Sequence, residues 1–264
     1  MEETVRPVAV VTGGKQGLGL GAAKGLAARG FDLAILDLPE AGPGTDACLT
    51  ELEALGVTAR YYQLDISDLD RHHEVVEKIW RDFGRLDCLH NNAGIAARPL
   101  TDILELSSEA FDKAVNINLR GTFFLSQVVA NRMLEDDARF SDGIYRSIII
   151  VSSIAAELVS PDRSQYNITK AGLSMLAKVL AYRLGPEGVA VHEIRPGFMK
   201  TAMTASAGSP EIDAAIAEGR VPLSRWGTSE DIGTVVGTLA SGDLPYMTGL
   251  PLWIAGGLNV VKAT

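Results

Sequence analysis

The segment Val8-Ala9-Val10-Val11-Thr12-Gly13-Gly14-Lys15-Gln16-Gly17-Leu18-Gly19 runs an apolar, strand-like stretch directly into a glycine-rich turn, and an amphipathic helical pattern over Leu18–Ala28 follows. Glycines let the chain turn sharply and let its backbone approach a pyrophosphate, towards which the next helix points unpaired N–H groups. An ordinary tight β–α turn uses the same residues. The strand–turn–helix context favours dinucleotide binding, with Gly13, Gln16, Gly17, Leu18 and Gly19 as the cradle. Asp37 closes the next apolar run, 18 residues after Gly19. A carboxylate there accepts hydrogen bonds from both ribose hydroxyls, although an Asp capping a strand exit is the plainer alternative. A 2′-phosphate at the same place meets like charge, about 2 kcal/mol per phosphate charge at ~4 Å with an effective dielectric constant of ~40. NAD(H) is therefore the expected cofactor. Lys15, a flexible cation within the loop, leaves a route to NADP(H).

Working outward, the alternation continues. Val8–Val11, Asp32–Leu36, Ala59–Leu64, Leu86–His90, Ser147–Val151, Val189–Ile194 and Leu252–Ala255 read as strands, several of them apolar on both faces. Leu18–Ala28, Ala47–Leu55, Leu69–Phe83, Ala110–Leu134, Gln165–Leu184 and Ser229–Leu239 read as helices, with Asp68, Ser107 and Ser229 as N-caps. Regular β-α-β alternation with short links predicts an α/β, Rossmann-type doubly wound parallel sheet with helices on both faces, in one domain over residues 1–264. Residues 198–227 break the rhythm and are expected to form a small substrate lid, a plain surface excursion being the alternative. The acidic stretch Glu135–Arg146 is expected to be an exposed loop.

The chain has 264 residues, 47% hydrophobic and 22% charged, which excludes disordered, collagenous and coiled-coil classes. A net charge of −9 makes nucleic acid and anionic membranes poor partners. Two cysteines, Cys48 and Cys88, are too few for a disulfide framework or a cysteine metal site. With no secretory leader and no apolar stretch of ~18 residues, a cytoplasmic location is expected. His72, His73, His90 and His192 lack H-x-x-H spacing, so no metal centre is expected. No G-x-S-x-G elbow is present, which disfavours an α/β-hydrolase.

A second constellation is Ser153, Tyr166 and Lys170. Tyr166 and Lys170 are four apart in a helical pattern and share one face. An ammonium at ~5 Å with an effective dielectric constant of ~20 contributes about 3 kcal/mol towards phenolate, enough to bring a phenol of pKa ~10 into acid–base range. Tyr166 would then exchange a proton with a hydroxyl or carbonyl oxygen that Ser153 holds. A Y-x-x-x-K pair alone is a common helix-surface arrangement; beside a dinucleotide loop it reads as catalytic.

Together these residues resemble the short-chain dehydrogenase/reductase family in its compact, single-domain branch. The matching motifs run nearly end to end: TGGKQGLG at 12–19, Asp65, NNAG at 91–94, Asn118 in NINLRG, Ser152-Ser153, YNITK at 166–170, Pro196-Gly197 with Thr201, RWGTSEDIG at 225–233, and TG at 248–249 before IAGG. The resemblance implies an Asn118–Ser153–Tyr166–Lys170 tetrad, with Asn118 kinking its helix and holding a water that links Lys170 to solvent. It implies adenine contacts from Asp65 and Ile66, a cofactor channel lined by Asn91 and Gly94, and further cofactor contacts from Pro196, Gly197 and Thr201. Lys170 and Tyr166 would also touch the cofactor, Lys170 through the nicotinamide ribose. Read from the residues alone, Asn91-Asn92 is equally a turn pair at a strand exit.

The expected reaction is interconversion of a secondary alcohol and a ketone on a small-molecule substrate. A non-catalytic dinucleotide sensor is the alternative, and the complete tetrad argues against it. Ile95-Ala96-Ala97, Ala155, Glu157, Arg163 and the lid line the pocket by position without spelling a ligand. Arg163 is either a carboxylate or phosphate anchor or a solvated loop arginine. The resemblance extends to 3-oxoacyl-carrier-protein reductases, but Asp37 disfavours NADPH, and Glu135-Asp136-Asp137 and Glu187 stand where basic helix ends would dock an acidic carrier. Sugars, polyols, hydroxy acids and CoA-linked hydroxyacyl groups fit equally. A homotetramer or homodimer, joined through helices around 110–134 and 165–184, follows from the resemblance.

Overall fold

The computed structural model describes residues 5–38, 40–201 and 210–260. Seven strands, β1 Val8–Thr12, β2 Asp32–Asp37, β3 Ala59–Gln63, β4 Cys88–Asn91, β5 Arg146–Val151, β6 Val189–Pro196 and β7 Pro251–Ile254, form one sheet. Their order is β3-β2-β1-β4-β5-β6-β7, and every pairing is parallel. The chain reverses its winding between β1 and β4, which opens a crevice at the carboxyl ends of those strands. The predicted strands are all present, with ends displaced by one or two residues.

Alternate residues of each strand enter opposite cores because successive side chains point to opposite faces. Val8, Val10, Ala34, Leu36, Leu89, Ile148 and Ile150 pack on one side, and Ala9, Val11, Leu33, Ile35, Cys88, Ile149 and Val151 on the other. The first core is closed by α3 His72–Phe83, α5 Thr122–Leu134 and α6 Ser164–Leu184. The second lies under α1 Gly17–Ala27, α2 Pro43–Glu53 and α8 Ser229–Ala240. Helices α1 and α8 meet backbone to backbone: a Cβ on Gly25 would stand 1.9 Å from the Gly233 carbonyl oxygen. Any side chain there forces the two helices apart.

Three expectations need correction. The single helix expected over Ala110–Leu134 is α4 Ser108–Ala114, a π-helical stretch Val115–Gly121, and α5. Asn118, inside that stretch, hydrogen-bonds the backbone of Ile95, and a Cβ on Gly121 would lie 2.4 Å from the Ile66 carbonyl oxygen. Helix α8 is capped by Thr228, not Ser229: the Thr228 hydroxyl accepts from the Asp231 N–H while the Asp231 carboxylate accepts from the Thr228 N–H. Ser107 does cap α4, whereas Asp68 precedes a short 3-10 turn without a side-chain cap.

The third concerns Glu135–Arg146, which is not simply a solvated acidic loop. Arg146 is 1% exposed and donates to both oxygens of Asp142, to the Ile144 carbonyl, and to Asp136. Arg85 bridges Asp87 to Asp142. Hydrogen bonding from Arg146 holds the Asp142 carboxyl well below the usual range. This cluster lies where β4 and β5 begin, at the opposite edge of the sheet from the crevice.

Of the expected lid, residues 202–209 lie outside the described residues. The remainder leaves and returns beside β6, where Met199 bridges to Gly227. It includes α7 Pro210–Ala217, tied back by a hydrogen bond from Trp226 Nε1 to Asp213 at 2.8 Å.

Candidate active site

Gly13 and Gly17 adopt φ of +62° and +58°, the left-handed region that suits glycine and bends the chain from β1 into α1. Gln16 precedes α1 in extended conformation with no side-chain cap, and no acidic residue occupies the first turn. The first N–H groups of α1 are therefore open to an anion. A Cβ on Gly19 would stand 2.1 Å from the Gly13 carbonyl oxygen, so the turn closes on itself only with glycine there. These features fit a dinucleotide pyrophosphate.

Asn92 holds the loop from the neighbouring strand. Its Nδ2 donates to the Thr12 and Gly13 carbonyls at 3.0 and 3.2 Å, and the Thr12 hydroxyl accepts from the N–H groups of Asn92 and Ala93. Asn91 faces the other way, 4% exposed, and donates to Ser126 Oγ at 2.9 Å. The side chain in contact with the loop is thus Asn92, which the sequence reading paired with Asn91 only as a turn. Strand alternation is the signal that separates the two.

At the carboxyl end of β2, Asp37 accepts from the Lys15 N–H at 3.2 Å and the Leu38 N–H at 2.9 Å. Asp65 closes its own turn by accepting from the Ser67 N–H and hydroxyl. Ile66 is buried, and its carbonyl meets His72 Nε2 at 2.9 Å. Pro196 ends β6, and the Gly197 N–H donates to the Ile254 carbonyl. Thr201 is half-buried, five residues beyond the end of β6. Gly94 sits over the second constellation, where a Cβ would lie 3.0 Å from Asn118 Oδ1 and 3.9 Å from Lys170 Nζ.

Ser153 follows β5, and its hydroxyl accepts from the Ala155 N–H at 3.1 Å. Tyr166 and Lys170 lie one turn apart on α6, with Lys170 Nζ 5.5 Å from the Tyr166 ring centre and donating to the Val151 carbonyl at 2.9 Å. The Asn118 amide accepts from the Ile95 N–H and donates to the Ile95 carbonyl and the Thr169 hydroxyl. Ser153, Tyr166, Lys170, Asn118 and Gly94 therefore converge at the carboxyl edge of β4 and β5.

The electrostatics differ from the expectation that Lys170 depresses Tyr166. Burial raises the Tyr166 phenol, while a hydrogen bond with Ser153 and the charge of Arg163 act in the opposite sense. Burial also pushes the Lys170 ammonium down to about 8. Desolvation is the largest influence on both groups, because each gives up water on entering the fold. Arg163 is exposed in its loop, 3.9 Å from Asp162, and its charge acts on the Tyr166 phenol. His90 and His192 lie buried in β4 and β6, and among the described residues no group of three His, Cys, Asp or Glu side chains is placed to hold a metal.

A family model described as enoyl-(acyl carrier protein) reductase matches residues 13–259. The 3-oxoacyl-[acyl-carrier-protein] reductase FabG of Thermotoga maritima is 33% identical over 253 residues, covering 96% of this chain and 98% of its own. The chain belongs to the short-chain dehydrogenase/reductase family. It is an oxidoreductase of CH–OH and keto groups, and the family's cofactor is NAD(P). The L-rhamnose 1-dehydrogenase (NAD(P)(+)) of a Sphingomonas species is 32% identical, covering 95% of each chain. A 3-oxoacyl-[acyl-carrier protein] reductase from Brucella melitensis, solved in complex with NAD, is 41% identical with a TM-score of 0.92, covering 98% of this chain and 99% of that one. Among the described residues no helix is long and apolar enough to cross a membrane.

Proposed function

We propose that this oxidoreductase prefers NAD(H) and interconverts a secondary alcohol and a ketone with Tyr166 as acid and base. Residues 1–264 act as one domain and 198–227 as its lid. Asp37 carries the cofactor preference: its carboxylate stands at the end of β2 and is anchored to the glycine loop through Lys15 N–H. Gly13, Gln16, Gly17, Leu18 and Gly19 would hold the pyrophosphate, Asp37 the adenosine ribose, Asp65 and Ile66 the adenine, and Gly94, Pro196, Gly197 and Thr201 the remaining channel, which Asn91 would line through its backbone alone because its amide is turned to Ser126.

A bound nicotinamide would supply the hydride in reduction and accept it in oxidation. In reduction, Ser153 donates a hydrogen bond to the substrate oxygen and Tyr166 delivers its phenolic proton there. Lys170 stabilises the tyrosinate left behind, and Asn118 supports the return of a proton from solvent. The matching family model carries an enoyl-reductase description. A Ser153–Tyr166 pair aimed at one oxygen favours C=O over C=C chemistry.

Fluorescence titration with NADH and NADPH in parallel tests the preference. NADH is expected to bind at least tenfold more tightly, and equal or tighter NADPH binding overturns the Asp37 reading. Tyr166→Phe is expected to lose turnover and keep NADH affinity; retained activity overturns the mechanism. Acetoacetyl-CoA and crotonyl-CoA, each offered with NADH, separate carbonyl from enoyl reduction.

The relatives divide between a 3-oxoacyl thioester and a sugar by their names. The acidic segment at 135–137 bears less on carrier docking than its sequence suggested, since Asp136 is tied to Arg146 at the far edge of the sheet. Two buried, unpaired cysteines support a cytoplasmic location. Exposed Phe123, Met175, Val179 and Tyr182 on α5 and α6 support homotetramer or homodimer assembly through those helices.

A further inference from the structure

Strand β6 carries Glu193 and Arg195 among mostly apolar residues, and both are almost completely buried. Two apart on a strand, they share one face. Arg195 Nε donates to Glu193 Oε1 at 2.6 Å and its Nη2 to Ser174 Oγ at 2.8 Å. Its Nη1 donates to Glu157, and its guanidinium lies 5.1 Å from the ring of Trp253, its partner in register on β7. Glu193 accepts in addition from Ser152 Oγ at 2.5 Å and Ser174 Oγ at 2.9 Å.

Apart from the pair itself, each hydrogen bond ends on a segment that carries a catalytic group. Ser152 precedes Ser153. Ser174 is one turn beyond Lys170 on α6. Glu157 follows the 3-10 turn Ile154–Ala156 that starts at Ser153. That turn is held at its other end by Asn167, adjacent to Tyr166, whose Nδ2 donates to the carbonyls of Ala155 and Leu158 at 2.7 and 2.8 Å. The Ala155 N–H in turn meets the Ser153 hydroxyl. A buried ion pair is expensive, and apolar side chains fill such a site as well or better for stability. Glu157, by contrast, has a side chain 59% exposed, yet it is drawn back onto the buried guanidinium.

We propose that Glu157, clamped by Arg195, is a positioning residue that holds the 153–157 turn and so sets the Ser153 hydroxyl against Tyr166. The inference rests on the reading of Ser153 and Tyr166 as the catalytic pair. Misplacement of such a turn by about 1 Å is enough to cost on the order of a hundredfold in rate. Because the cofactor cradle is built from β1, β2 and the start of α1, it does not depend on this clamp.

The test compares Glu157→Ala and Glu157→Gln with wild type and with Tyr166→Phe, in the full chain. Kinetics use acetoacetyl-CoA with NADH, or L-rhamnose with NAD+ where wild type prefers it. Glu157→Ala is expected to lower kcat at least tenfold, with NADH affinity by fluorescence within twofold of wild type. Amide hydrogen exchange across 153–158 should quicken while that of β1 and α1 is unchanged. Glu157→Gln, which keeps an acceptor for Arg195, should recover most of kcat. Wild-type kcat and exchange in Glu157→Ala overturn the clamp, as does a kcat loss matched by an equal loss of NADH affinity. An active Tyr166→Phe instead sinks the catalytic reading on which the clamp rests.

Discussion

Lys170 is buried with its ammonium pushed down to about 8 from the ordinary 10.5, and desolvation is the cause. The unfolded chain therefore holds a proton more firmly than the folded one, and folding at neutral pH works against that difference. Converted through linkage, the cost at pH 7 is about 3 kcal/mol, falling to about 1 kcal/mol by pH 10. Lys170→Met removes the charge at similar volume. It also leaves the Val151 carbonyl without the bond it receives from Lys170, a loss of about 1 kcal/mol. The variant should then be about 2 kcal/mol more stable than wild type at pH 7, and inactive. Urea unfolding of both proteins at pH 7, 8.5 and 10 measures the difference, and other groups that titrate in this range cancel. The advantage should shrink as pH rises through the window from 8 to 10.5. A variant less stable at pH 7, or a difference that does not change with pH, would refute the claim that the site holds Lys170 against its solvation.

Burial pushes His90 down to about 3 and His192 to about 4. Their contribution to stability is complete above pH 6.5 and is lost as pH falls towards the folded values, about 2 kcal/mol each at pH 5; in urea unfolding at pH 8 and pH 5, His90→Leu should lessen the loss by about 2 kcal/mol. Asn92→Ala removes the two amide bonds to the glycine loop, and NADH affinity should fall about tenfold by fluorescence titration, in line with two lost hydrogen bonds. Asn91→Ala, which breaks only the contact with Ser126, should instead lower the melting temperature and leave NADH affinity within twofold.

The strands and most helices were legible because their signals are local. An apolar run of four to six residues covered on both faces has few other ways to fold, and Val8–Thr12 or Ile148–Val151 could hardly lie elsewhere. The glycine loop was legible for the same reason: Gly13 and Gly17 need their backbone freedom wherever the turn sits. The break after α4 into a π-helical stretch was legible only through the resemblance, which implied a kink at Asn118, since Val115–Gly121 continues the helical periodicity and the contacts that accompany the break, Asn118 with Ile95 and Gly121 with Ile66, reach across segments. The acidic stretch misled for a related reason. Asp136 and Asp142 look solvated until Arg146, ten and four residues on, is seen to be buried between them.

Sequence alone therefore determined the α/β alternation, the parallel sheet, the glycine-rich turn after β1 and the grouping of Ser153, Tyr166 and Lys170. Each of these is carried by residue type and by spacing along one segment. Tertiary structure decided which asparagine grips the loop, whether burial or Lys170 governs the Tyr166 phenol, and how Glu157 reaches Arg195. Those outcomes depend on distance and desolvation between segments far apart in the chain. Hydrophobic periodicity specifies which face of an element turns inward, but not which polar group will be waiting there.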